Sequence, residues 1–115
     1  MEPVVLVGMG GAIGSILRFE VSKITPYRGV PIGTLVVNVI GSFAFSLIIF
    51  SHAPEDILNF FGVGGLGGFT TFSTFSYETF RMLENHDYNA MSTNILLSVA
   101  GSLLGVFLGF YIING

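Results

Sequence analysis

The groups in this chain best able to do chemistry lie in the run Gly67-Gly68-Phe69-Thr70-Thr71-Phe72-Ser73-Thr74-Phe75-Ser76. Hydroxyls and phenyl rings alternate there, inside an apolar stretch where a membrane-crossing helix would ordinarily carry Leu, Ile and Val. An unpaired polar group in hydrocarbon costs several kcal/mol, so such a run is tolerable only where it faces protein, water or a bound ion. Phe72 and Phe75, three residues apart, share one helix face. An aromatic ring has a negative face and a positive edge. Ring edges, the Asn38 amide, the hydroxyls of Ser73, Thr74, Ser98 and Ser102, and backbone N–H groups freed from helix bonding can together replace the water around a small anion. No carboxylate sits mid-run: Glu2 and Glu20 are terminal, and Glu78 lies near the end of the third apolar run. A cation path of carboxylate rings is thus poorly supported, and the donors fit an anion better.

Other chemistries lack their residues. With Cys 0, disulfides and thiolate metal sites are excluded. His52 and His86 fall in polar connectors without ligand spacing around them. No nucleophile–base pair, metal cluster or carboxylate dyad occurs in the apolar runs, which argues against an enzyme. A net charge of −3 and the lack of a basic run argue against nucleic acid as a partner. Gly62 to Gly67 spells a formal G-x-G-x-x-G, but no strand precedes it and no dinucleotide domain would fit.

The elements that must position these groups follow from hydropathy. Of the 115 residues 51% are hydrophobic and 10% charged, with mean hydropathy +0.79; soluble domains carry about 25% charged residues. Four apolar runs, 3–21, 32–50, 57–81 and 90–113, each have roughly the 20 residues a helix needs to cross a bilayer. The expectation is an all-α membrane protein, one domain over 1–115 with four transmembrane helices. The first run is expected to be a retained span, since Met1-Glu2-Pro3 lacks the positive region of a signal peptide. A soluble bundle of this size would leave too much apolar surface wet.

Polar and small residues stripe the spans at four-residue spacing. Gly10, Gly14 and Arg18 do so in the first; Thr34, Asn38, Ser42 and Ser46 in the second; Asn94, Ser98 and Ser102, beside Gly101, Gly105 and Gly109, in the fourth. Gly stripes let helix backbones approach closely in lipid. Arg18 is open to two readings, snorkelling to the interface or attracting an anion. The third span, rich in Gly and followed by β-branched Thr70 and Thr71, makes a poor helix, which predicts a break near 68–74. A broken spanning helix frees backbone groups to bind ions.

These motifs resemble one family. Gly10-x-x-x-Gly14-x-x-x-Arg18, then Gly33-Thr34-Leu35-x-x-Asn38-x-x-Gly41-Ser42-Phe43, then the Gly67–Ser76 run with Glu78 beyond it, are similar to the Fluc/CrcB fluoride channels over essentially the whole chain; the fourth span matches loosely. The resemblance implies an antiparallel dimer of four-helix subunits in the cell membrane, with two separate pores. Fluoride would pass passively down its gradient, expelling it from the cytoplasm and conferring fluoride resistance. It further implies that Phe72, Phe75 and Asn38 line the pore, that Ser73, Thr74, Ser98 and Ser102 form its polar track, and that Arg18 sits at the aqueous vestibule. A structural Na+ at the dimer interface would be held by backbone carbonyls at Gly67 and Thr70. Glu78 matches a family position without an assigned role.

All four basic residues, Arg18, Lys23, Arg28 and Arg81, lie on or near the side of the first and third loops. The positive-inside rule then favours one orientation, with the termini outside. The chain would thus pair either with itself or with a paralogous subunit of opposite bias. Two alternative classes stand beside the channel. A small multidrug resistance-type exporter needs a membrane-embedded Glu in the first span, and none occurs between Glu2 and Arg18. A non-transporting assembly subunit would explain the Gly stripes but not the Phe-Ser-Thr-Phe run.

Overall fold

Pro3 occupies the first turn of helix α1 (Pro3–Val21), where a missing N–H is no loss, and Arg18 falls in its last turn, favourable for the helix dipole. The computed structural model describes residues 2–114. After α1 the chain reverses through a tight turn. Tyr27 and Val30 exchange both backbone hydrogen bonds (3.0 and 2.9 Å), and Arg28 and Gly29 between them take φ of 52° and 81°. Two central residues at positive φ make the turn type that joins antiparallel segments most compactly. Helix α2 (Ile32–Phe50) follows Pro31.

A helical stretch over 55–69 has three windings. Glu55–Ile57 (α3) starts after Pro54 with two acids in its first turn. Leu58–Leu66 (π1) is wound as a π-helix, and Gly67–Phe69 (α4) returns to α geometry. Helix α5 (Phe72–Glu84) resumes after two extended residues, and α6 (Tyr88–Asn114) completes the chain. The molecule is all-helical among the described residues. Three of its helices, α1, α2 and α6, are long and apolar enough to cross a membrane.

Two seams hold it together. In the first, α1 lies against π1 and α4. A Cβ at Gly10 would meet the Phe60 carbonyl, one at Gly14 the Gly65 carbonyl, and one at Gly68 the Gly11 carbonyl at 2.5 Å. These backbones touch directly, which only glycine permits. In the second seam α2 packs on α6, where Gly101, Gly105 and Gly109 receive Val39, Phe43 and Ser46. The Gly stripes are therefore packing surfaces, the arrangement expected where hydrophobic drive between helices is absent.

The interior is small and polar and the exterior apolar. Val37 and Asn94 are the largest fully buried side chains, while Ile16, Leu104, Phe107 and Tyr111 face outward, each more than 60% exposed. Water would penalise that distribution; hydrocarbon does not. The Gly-rich run 62–68 does not interrupt the helix. It widens into π1, and the helical hydrogen bonding gives way at the two threonines after it.

Candidate functional site

Thr70 and Thr71 are the only extended residues between Glu55 and Glu84, with ψ of 157° and 121°. β-Branched side chains favour that conformation. The Thr70 amide and hydroxyl both donate to the Leu66 carbonyl at 2.9 Å, closing the last turn before the break. The Thr71 backbone is buried and has no helical partner. Asn38, on α2, supplies both: its Nδ2 donates to the Thr71 carbonyl (2.9 Å) and its Oδ1 accepts from the Thr71 N–H (2.8 Å). Thr71 Oγ1 then accepts from the Thr74 N–H at 3.2 Å, capping α5. Gly41, one turn beyond Asn38, makes this docking fit, because a Cβ there would collide with the Thr70 methyl.

The clasp has a consequence for two carbonyls. In a continuous helix, Gly67 and Thr70 would accept from the N–H groups of Thr71 and Thr74. Those donors go instead to Asn38 Oδ1 and Thr71 Oγ1.

Beside the break opens a cleft of about 700 Å³ between α2, α5 and α6. It brings together Asn38, Thr70, Phe72, Phe75, Ser98 and Ser102, residues singled out in the sequence from three separate apolar runs. The Phe72 and Phe75 ring centroids are 5.9 Å apart. Phe72, 78% exposed, stands at the mouth, and Phe75 is half-buried. Ser98 is buried, and its Oγ has no hydrogen-bond partner in the protein. A free hydroxyl on a cleft wall is available to a ligand or water.

Other expected site residues lie elsewhere. The side chains of Ser73 and Thr74 do not line this cleft, although Ser73 Oγ is 3.3 Å from Thr71 Oγ1. Arg18 is half-buried near the end of α1 and away from the cleft. Gly67 likewise does not line it. Conversely, Thr71, Ser42 and Ser46 line it without having been picked out as site residues. Ser42 and Ser46 carried a signal, their i, i+4 register with Asn38. Ser46 Oγ is engaged, donating to the Val106 carbonyl at 2.8 Å.

One polar cluster lies beyond the cleft. Asn94 on α6 is 1% exposed and donates from Nδ2 to Thr79 Oγ1 (3.1 Å), and Thr79 Oγ1 donates to the Phe75 carbonyl (2.7 Å). Asn94 Oδ1 and Glu78 Oε1 are buried without partners. A second depression, about 420 Å³ between α1, α2 and π1, is walled by side chains such as Ile13, Ile40 and Phe69 and offers no polar side chain. Among the described residues, no three His, Cys, Asp or Glu gather to hold a metal.

A family model described as "CrcB-like protein, Camphor Resistance (CrcB)" matches residues 5–110. The chain belongs to the CrcB family. Among curated relatives of this CrcB chain is "Fluoride-specific ion channel FluC" of Methanococcus maripaludis, 46% identical over 95% of the chain and 93% of the relative. The protein of the same name from Methanococcus aeolicus is 41% identical over the same shares of each. One from Thermococcus kodakarensis is 41% identical over 90% of the chain and 89% of the relative. These relatives are named as ion channels, a class of transporter and not of enzyme. With three helices of crossing length and this family membership, the protein is a multi-pass membrane protein.

Proposed function

We propose that this chain is a fluoride-selective channel of the cell membrane that lets fluoride leave the cytoplasm passively and so confers fluoride resistance. The cleft carries the reading. Phe72 and Phe75, the free hydroxyl of Ser98 and Ser102 meet at an opening between helices, next to a backbone break. Fluoride gives up a tight hydration shell only where donors replace it, and hydroxyls with aromatic edges do so without a fixed cation that would trap the ion. Asn38 acts on this route chiefly as a clasp. Its Oδ1 and one Nδ2 proton hold Thr71, leaving its second Nδ2 proton as the donor for a passing ion. Ser73 and Thr74 extend the polar track past the mouth, and Arg18 attracts the anion at the aqueous vestibule.

The segment 55–84 is on this reading a single membrane crossing, the third in chain order, broken at Thr70–Thr71. The working unit is an antiparallel dimer. The molecule measures 48 × 33 × 18 Å, so it is flat, with broad outward apolar faces for lipid and a partner subunit. The carbonyls of Gly67 and Thr70, whose helical donors go elsewhere, suit a hard cation. They would hold a structural Na+ between the two breaks, where the ion supplies fixed positive charge that draws the subunits' carbonyls together. The partner is a second copy or a paralogue inserted the opposite way, since Arg18, Lys23, Arg28 and Arg81 bias this chain toward one orientation.

The test is efflux from liposomes holding the purified protein, followed with a fluoride electrode. Fluoride should leave far faster than chloride. Replacing Phe75 or Phe72 by Ile should slow it about fivefold or more, from the roughly 1 kcal/mol an aromatic contact contributes. Equal release of chloride and fluoride would refute the assignment.

A further inference from the structure

Helix α5 carries both cleft phenylalanines, yet it is the least secured of the long helices. It begins at two extended residues, and its packing on α2 and α6 is slight beside that of the two glycine seams. Its rotation about its own axis decides which side chain faces the cleft. With 3.6 residues per turn, neighbours point about 100° apart, so a partial turn would replace Phe75 by Thr74 or Ser76.

Among the described residues, one side-chain hydrogen bond joins α5 to α6, from Asn94 Nδ2 to Thr79 Oγ1. The Thr79 hydroxyl has a single proton, and it goes to the Phe75 carbonyl. Its oxygen can then only accept from Asn94, which settles which way the amide points. The result is a relay from α6 through Thr79 to the backbone of the residue whose ring lines the cleft. Asn94 is not merely satisfying its own polarity. Its Oδ1 is buried without a partner, so the amide tolerates an unmet acceptor in order to donate to Thr79. At 1% exposure it has no room to swing away.

We propose that Asn94, acting through Thr79, is a positioning residue that sets the rotation of α5 and keeps the Phe75 ring on the cleft wall. Its relevance to transport rests on the channel reading above, but the positioning itself does not.

The test combines flux with a spectroscopic probe. A 4-fluorophenylalanine is placed at position 75 by stop-codon suppression, and a control label at Phe110, which packs on Phe50 away from the relay. Thr79→Val and Asn94→Leu should each shift the 19F resonance at 75 and leave that at 110 in place. In unlabelled protein, each should lower fluoride efflux roughly fivefold, the factor for one neutral hydrogen bond. Thr79→Ser keeps the hydroxyl and should match wild type in both readouts. The double variant Asn94→Leu/Thr79→Val removes both polar partners. It should regain thermal stability, because no buried group is left unpaired, while flux and the resonance at 75 stay perturbed. A double variant that recovers flux together with stability would reduce the pair to ordinary packing and overturn the proposal. So would a resonance at 75 indifferent to Thr79→Val, which carries the test should Asn94→Leu not fold. Wild-type protein that passes no fluoride would sink the channel reading, while the resonance would still decide the positioning.

Discussion

Replacing Asn38 by Leu removes one side chain and strands two backbone groups. Thr71 is 8% exposed, and its N–H and C=O have only the Asn38 amide, at 2.8 and 2.9 Å. A buried group left unpaired costs about 1–3 kcal/mol, so losing both should destabilise the fold by about 2–6 kcal/mol. The leucine is close in size, so cavity terms are minor. Asn38→Asp separates the two bonds. The carboxylate still accepts from the Thr71 N–H but cannot donate to its carbonyl, which should return roughly half of the loss. It also puts a negative charge on the cleft wall, so anion efflux should collapse even where stability partly recovers. Unfolding in detergent followed by circular dichroism gives the stabilities, and amide hydrogen exchange at Thr71 reports the clasp directly. If Asn38→Leu left both the midpoint and the Thr71 protection at wild-type values, the claim that this amide closes the break would be wrong.

Four further outcomes follow from the same geometry. Gly14→Ala would drive a methyl into the Gly65 carbonyl and should cost about 1–3 kcal/mol. Gly8→Ala, with nothing within 4 Å of its Cβ, should be neutral or slightly stabilising in the same melt. Ser98→Ala removes a hydroxyl with no protein partner, so stability should hold within about 0.5 kcal/mol while fluoride efflux drops. Replacing sodium by a bulky organic cation during purification should lower both efflux and the dimer fraction seen by light scattering. Sodium-free protein that stays dimeric and fully conducting would remove the proposed role of the Gly67 and Thr70 carbonyls.

Much of the helical layout was legible in the chain. Helices α1 and α2 cover the same residues as the first two apolar runs, and α6 extends the last run by a few residues. Hydropathy over a helix length integrates many residues and tolerates local error. The i, i+4 stripes likewise placed Ser98 and Ser102 on one face of the fourth run, and Asn38, Ser42 and Ser46 on one face of the second, because helical periodicity is local; that these two faces line one cleft was decided by packing. The winding of the third run was less legible. Its glycines marked a weak helix, but a weak helix can break, bend or widen, and here it widened first and opened only at Thr70. The choice depends on how close α1 comes to Phe60 and Gly65, a contact between segments some 50 residues apart. Asn94 stood in the four-residue stripe of the fourth run, but its pairing with Thr79 was hidden for the same reason, because the two residues lie on different helices.

Residue order alone therefore settled solvent and faces: which segments prefer hydrocarbon, where basic charge collects, and which side of each helix is small or polar. Those properties follow from composition and period, and no neighbour changes them. Partners belong to the tertiary structure. That the Asn38 amide holds the Thr71 backbone, that Ser98 keeps a free hydroxyl while Ser46 does not, and that the helix opens at two threonines rather than among seven residues of glycine-rich chain all depend on helix separations. A hydrogen bond forms or fails within a few tenths of an ångström. Only packing, here glycine against backbone, fixes distances that finely.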